Sequence, residues 1–299
     1  MKNDSDTLLT ALYCVVDDAL DQPCRPGRPK RLSDAELVTL AVAQVLLEPP
    51  SETAWLRYAR KHLAEMFPSL PGQSRWNKRL RAAGVIARVL RALAAATPIG
   101  MSALQLTDPT PVPFGTSRET VQRSELTGTA GYSYCVSHTR FFWGLRLYLM
   151  TTAEGMPMTW CLTHPTLGER EIMAALLDIN HPLFTAGQVS LVDKGFSGHE
   201  FDALVADLGA RLVTPPRSSK ADPHPAPGPL VRRLVRVRQW IESIFDTLKG
   251  QLCLERHGAR TEIGLYTRVE QRLLALAAAI WHNTHTGQPH RRSLIAYDH

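Results

Sequence analysis

Three acidic residues stand where carboxylates can do chemistry: Asp108 in Leu-Gln-Leu-Thr-Asp-Pro-Thr-Pro, Asp193 in Val-Ser-Leu-Val-Asp-Lys-Gly-Phe, and Glu242 in Arg-Gln-Trp-Ile-Glu-Ser-Ile-Phe-Asp-Thr-Leu-Lys. Apolar runs precede the two aspartates and predict strands that deliver a carboxylate to the end of a sheet, whereas Glu242 falls on an amphipathic segment. Carboxylate oxygens suit hard divalent cations. Two such cations roughly 3.5 to 4 Å apart can support in-line displacement at phosphorus, so the layout points to a two-metal nuclease or strand-transfer site.

At roughly 100° per residue, Arg238, Glu242, Asp246 and Lys249 fall within about 80° of one another on a helix, and Ile241, Ile244, Phe245, Leu248 and Leu252 lie opposite. One face is therefore expected to pack and the other to work. Cations beside a carboxylate also arise as i,i+4 surface pairs worth only tenths of a kcal/mol. The two aspartates favour the reading in which Arg238 and Lys249 hold phosphates.

The elements that must position these groups change character along the chain. From Asp4 to about Ala96 apolar residues recur at helical spacing, as in Leu8, Leu12, Val15 and Val16. Ser33 and Glu36 make a capping box, so a helix is expected to start there. Just before it, Pro26-Gly27-Arg28-Pro29-Lys30-Arg31 has the Gly-Arg-Pro centre of a minor-groove-binding arm, although a rigid linker before a capped helix explains the same residues. From Leu104 the pattern becomes extended. Leu104–Asp108 reads as a short strand stopped by Pro109, which lacks a ladder amide. An antiparallel hairpin is expected over 141–162, helices over 169–178 and 199–208, and strands over 189–193 and 211–214. The Pro-rich stretch 215–229 reads as a loop, and 262–283 as a closing, structural helix. The mixed order implies a sheet with helices on its faces and some parallel pairing.

Composition narrows the partners. Lys and Arg outnumber Asp and Glu by 34 to 28 in 299 residues. Between Trp55 and Leu93 lie Arg57, Arg60, Lys61, Arg75, Lys78, Arg79, Arg81, Arg88 and Arg91, with Glu65 the only acid. A polyanion suits such a face, and a solvated helix surface is the plain alternative. Five cysteines with no Cys-x-x-Cys pair signal neither a disulfide framework nor a zinc site. His138, His164, His181, His199 and His257 lack tight ligand spacing. The polar start, and the lack of a ~20-residue apolar stretch, predict a cytoplasmic protein with no membrane partner.

Taken together, these residues resemble a DDE transposase of a bacterial insertion sequence, with the likeness running from about Leu104 to the C-terminus. Asp108 matches the first-strand Asp, Asp193-Lys194-Gly195-Phe196 the Asp-x-Gly-Tyr/Phe signature, and Glu242 the last acid of the triad. Arg238, Glu242 and Lys249 satisfy an Arg-x3-Glu-x6-Lys pattern, and Gly144-Leu145-Arg146-Leu147 resembles the second-strand Gly-Phe-Lys-Leu. The chain departs from the pattern at Pro109, Tyr148 and Val235, where such enzymes often carry Ser, His and Tyr.

The resemblance implies an α/β fold: a ribonuclease H-like mixed sheet flanked by helices, preceded by a small all-helical N-terminal domain. It sets a DNA-end-binding part at 1–98 and a catalytic part at 99–299. Asp108, Asp193 and Glu242 would be both catalytic and metal-binding, with two Mg2+ (or Mn2+), and Arg238, Lys249, Lys194, Arg75, Lys78 and Arg79 would contact DNA. The expected partners are terminal inverted repeats, target DNA and a second copy of the chain in a synaptic homodimer, nucleoid-associated when DNA is bound. A ribonuclease H-like nuclease that does not join strands, and a catalytically silent DNA-binding regulator, remain the alternatives.

Overall fold

In the computed structural model, the described residues are 2–20, 30–49, 51–82, 84–115, 118–135, 139–180, 188–193, 196, 199–207, 209, 211–214, 229–290, 294 and 297. The first elements in chain order are helices α1 (Lys2–Ala19), α2 (Asp34–Leu46), α3 (Glu52–His62), α4 (Gln73–Ala82) and α5 (Val85–Ala95). Then come β1 (Leu104–Gly115), α6 (Arg118–Arg123), β2 (Gly131–Cys135), β3 (Arg140–Thr152), β4 (Pro157–Thr163), α7 (Glu169–Asn180), β5 (Val189–Leu191), α8 (His199–Asp207) and β6 (Arg211–Val213). Helices α9 (Pro229–Arg238) and α10 (Trp240–Asp246), a π-helical turn at Thr247–Gln251, and α11 (Glu262–Thr286) complete the chain. The Gly-Arg-Pro segment 26–29 and the Pro-rich stretch 215–228 lie outside the described residues. No helix among the described residues is long and apolar enough to cross a membrane.

The contacts divide into two units, Met1–Thr97 with Thr247–His299, and Pro98–Asp246. Residues 99–299 thus contribute to both. In the first unit α11 is buried almost all round, Leu265, Val269, Leu273 and Ala277–Ala279 included, and it packs on α1, α2, α4 and α5. A helix buried on every side over 271–283 belongs at the centre of a bundle, and its small residues let neighbours approach. Its start is fixed by Thr261, whose hydroxyl accepts the Gly264 amide at 3.1 Å, and its end by Gly287 at φ 69°. The expected capping box opens α2: Ser33 Oγ accepts the Glu36 amide at 3.0 Å, and Glu36 Oε2 accepts the Ser33 amide at 2.5 Å.

The second unit is a mixed α/β arrangement. Its six-stranded sheet runs β2-β3-β1-β5-β6, with β4 also paired to β3. Strands β1, β2 and β4 are antiparallel to β3, while β1–β5 and β5–β6 are parallel. The β3–β4 hairpin appears as expected, and β2 is an addition to the predicted strands. Tyr148, Met150, Val192 and Phe196 form a core with Ile172, Met173, Leu176 and Leu177 of α7 and Phe201 and Val205 of α8.

One expectation fails. Strand β1 does not stop at Pro109 but continues to Gly115, paired along its length with β3. Alternate residues of a strand direct their amides to the same edge. Pro109, Pro111 and Pro113 share one parity, and β5 pairs β1 only at Leu104–Leu106. The prolines therefore fall on the edge that carries no ladder among the described residues, where a missing N–H costs nothing.

Gly144 explains the tight β1–β3 crossing. A β-carbon there would sit 2.2 Å from the Val112 carbonyl oxygen and 2.9 Å from Pro113 Cα, beside the register shift between Pro113 and Gly115. The obstructing atoms are backbone and cannot yield cheaply. Gly144→Ala is expected to cost about 1–3 kcal/mol in urea unfolding, and an unchanged midpoint would contradict this packing.

Candidate active site

Register brings the aspartates together. Leu106 pairs with Leu191 across the parallel β1–β5 ladder, so Asp108 and Asp193 each lie two residues beyond matched positions on neighbouring strands. The ladder is only three residues long, and buried polar groups reinforce it. Ser190 Oγ donates to Gln105 Oε1 at 3.2 Å, and Gln105 Nε2 donates to Gln188 Oε1 at 3.5 Å, with all three residues buried. A slip would strand these groups without partners. Asp108 also pairs with Leu149 of β3, which puts its side chain on the face opposite Tyr148 and the α7–α8 core.

Arg238, the last residue of α9, ties the pair: its Nη1 lies 3.6 Å from Asp108 Oδ1 and its Nη2 4.0 Å from Asp193 Oδ1. Its Nε is buried and has no hydrogen-bond partner among the described residues. The expected continuous helix through Glu242 is instead broken at Gln239 and passes into the π turn at Thr247. The 100° spacing that placed Lys249 beside Glu242 therefore does not extend through the π turn. Within α10 the expected faces hold: Ile241 and Phe245 are buried, while Glu242 and Asp246 are exposed.

The carboxylates share one field. Burial pushes Asp108 up to about 7; Arg238 opposes the rise, while Asp193, Glu169 and Glu242 add to it. Burial and three neighbouring acids outweigh one guanidinium. Glu169 did not figure among the expected site residues. It opens α7, and its Oε1 lies 3.7 Å from Arg146 Nη1. Its only sequence signal was an acid in a first helical turn, which helix capping explains equally well. Nearby, burial and then Glu169 raise the Tyr148 hydroxyl to about 12.

The remaining expected residues are dispersed. Arg75 and Lys78 are exposed on α4. Arg79 is half-buried and engaged within its own unit, donating to the Leu32 carbonyl at 2.5 Å and to Asp34 Oδ1 at 2.7 Å. Lys249 lies in the π turn, which belongs to the helical unit. Lys194 is outside the described residues. Among the described residues no three His, Cys, Asp or Glu side chains converge closely enough to hold a metal ion, and Arg238 instead bridges the two aspartates. The donor chemistry nonetheless suits Mg2+ or Mn2+: hard oxygens, with Asp108, Asp193, Glu169 and Glu242 set against Arg238 on the aspartates and Arg146 on Glu169. No family model, curated protein or solved structure matches the chain.

The raised Asp108 fixes the sign of a pH effect. Between its unfolded value near 4 and about 7, the folded state binds the extra proton, so this group's contribution to stability declines as pH rises through that window. A cation must displace the proton, so the rise in melting temperature produced by Mn2+ should be larger at pH 8 than at pH 6. Asp108→Asn should raise the metal-free melting temperature at pH 8 and abolish the Mn2+ effect. An equal Mn2+ shift at both pH values would contradict the assignment.

Proposed function

We propose that the chain is a DDE transposase of an insertion sequence, built on a ribonuclease H-like core with an N-terminal DNA-binding part, which cleaves element ends and joins them to target DNA. The observation that carries this reading is the register-matched pair Asp108 and Asp193, joined by Arg238 and sharing a field with Glu242.

Asp108, Asp193 and Glu242 would hold two Mg2+ (or Mn2+). When bound, the ions supply Lewis-acid stabilisation of the attacking and leaving oxygens. Asp108 enters the reaction ionised, having given up the proton it carries near neutrality. Arg238 keeps the two aspartates at the same end of the sheet and limits their mutual repulsion, which preorganises the site. In the first proposed step water attacks phosphorus at the element end, and the P–O bond to the 3′ oxygen breaks to free a 3′-hydroxyl. That hydroxyl then attacks a target phosphodiester, forming one P–O bond as another breaks, with no covalent enzyme intermediate. Lys249 would contact backbone phosphate, and Arg75 and Lys78 would bind DNA electrostatically. Synapsis of two ends calls for two copies of the chain.

Labelled DNA carrying the flanking element ends tests the proposal. Metal-dependent nicking and joining should fall to background in Asp108→Ala, Asp193→Ala and Glu242→Ala, with end binding retained and the double aspartate variant no worse than either single one. Cleavage by any of the three would overturn the proposal, nicking without joining would assign a nuclease, and binding without cleavage by the native chain a regulator. Arg75→Ala and Lys78→Ala should each reduce the slope of log affinity against log salt by roughly one. An unchanged slope would remove those residues from the DNA contact.

A further inference from the structure

The helical unit has a cleft of its own, about 770 Å3, lined by residues of α2, α3 and α4 and by residues between Leu252 and Arg272. That volume suits a nucleotide-sized ligand. Five arginines line it, Arg81, Arg256, Arg260, Arg268 and Arg272, against the carboxylates of Glu48 and Glu52. Both carboxylates are already engaged. Arg256 Nη2 reaches Glu48 Oε1 at 2.6 Å, while Glu52 pairs with Arg268 and accepts from Asn77 Nδ2 at 2.6 Å.

Arg81, Arg260 and Arg272 then form no ion pair among the described residues. Arg272 is the telling member, being only 9% exposed. It donates through Nε to the Cys253 carbonyl at 3.1 Å and through Nη1 to the Arg268 carbonyl at 2.9 Å, and neither acceptor carries charge. Burial lowers it to about 10, with Arg268 acting in the same direction and Cys253 and Glu48 opposing, so it remains a cation at neutral pH. Its hydrogen bonds go to neutral acceptors, and Glu48, the carboxylate that acts on it, is already held by Arg256, which leaves a demand for an anion. The start of α11 faces the same cleft: Thr261 and Gly264, at the positive end of a 25-residue helix whose first turn carries Glu262, line it, with Thr267 a turn further on. Arg81 lies over this start, its Nη2 3.7 Å from where a β-carbon on Gly264 would sit.

We propose that this cleft is a second binding site, which takes the phosphate of a nucleotide, either free or within a DNA strand, between Arg272, Arg81, Arg260 and the first turn of α11. It shares no residue with the carboxylate site and does not depend on that site being catalytic. Guanidinium forks match phosphate oxygens in pairs, which favours phosphate over a monovalent halide.

The test titrates the full chain with pyrophosphate, dAMP and a short labelled oligonucleotide. The probes are compared in the native protein, in Arg81→Ala/Arg260→Ala, whose residues are both exposed, and in Arg272→Gln. We expect saturable binding of at least one probe, weakened by roughly tenfold or more in the double variant, with its melting temperature unchanged and Arg88→Ala without effect. Competition between pyrophosphate and the oligonucleotide would place a strand phosphate in the cleft, and simultaneous binding a free phosphate ester. If no probe loses affinity in the double variant, the proposal is overturned. Binding that persists in Asp193→Ala would keep this result separate from the fate of the carboxylate site.

Discussion

The arrangement of the sheet unit rests on three residue pairs, Leu104–Val189, Gln105–Ser190 and Leu106–Leu191. A parallel ladder this short has little intrinsic preference for one register over the next, since each slip would cost only a few backbone bonds. The side chains between the strands make the choice. Ser190 and Gln188 bond to Gln105 in the dry interior, and any displacement would leave them unsatisfied at about 1–3 kcal/mol each. From that one register it follows that Asp108 and Asp193 emerge side by side, and that a single arginine at the end of α9 can reach both.

The electrostatics follow from this placement. Asp108 is drawn out of water among three other acids, with Arg238 offsetting part of the cost, and its proton is correspondingly hard to remove. The site therefore holds a tension that a cation can relieve. The helical unit has the opposite imbalance, with arginines in excess of carboxylates and Arg272 buried near the start of α11. The chain thus keeps acids at the end of a sheet and guanidiniums within a bundle.

Much of this was legible in the sequence. The two aspartates follow apolar runs that can only be strands or buried helices, and their shortness decided for strands. Ser33 and Glu36 announced a helix start by chemistry that is purely local. What the sequence did not disclose depended on partners. Pro109 signals a strand end unless one knows which edge of the strand is paired, and that information lies in β5, eighty residues away. The break at Gln239 and the π turn at Thr247–Gln251 leave the apolar spacing of Ile241, Phe245 and Leu248 intact, so periodicity could not reveal them. Glu169 enters the field of Asp108 through tertiary folding alone. The burial of every face of α11 over 271–283 was hidden for a similar reason: a run of alanines is compatible with a surface helix as well as a central one.

The alternating prolines of β1 have a further consequence. Beyond Leu106 the strand is paired, among the described residues, on the β3 side only, and an unpaired strand edge ordinarily recruits other extended chains, whether from a neighbouring copy or from an unfolded protein. Pro109, Pro111 and Pro113 remove every second donor from that margin. Another polypeptide cannot zip onto it, because the required N–H groups do not exist. The margin beside Asp108 is thereby made unreceptive to a further strand by covalent chemistry, next to the most polar residues of the sheet.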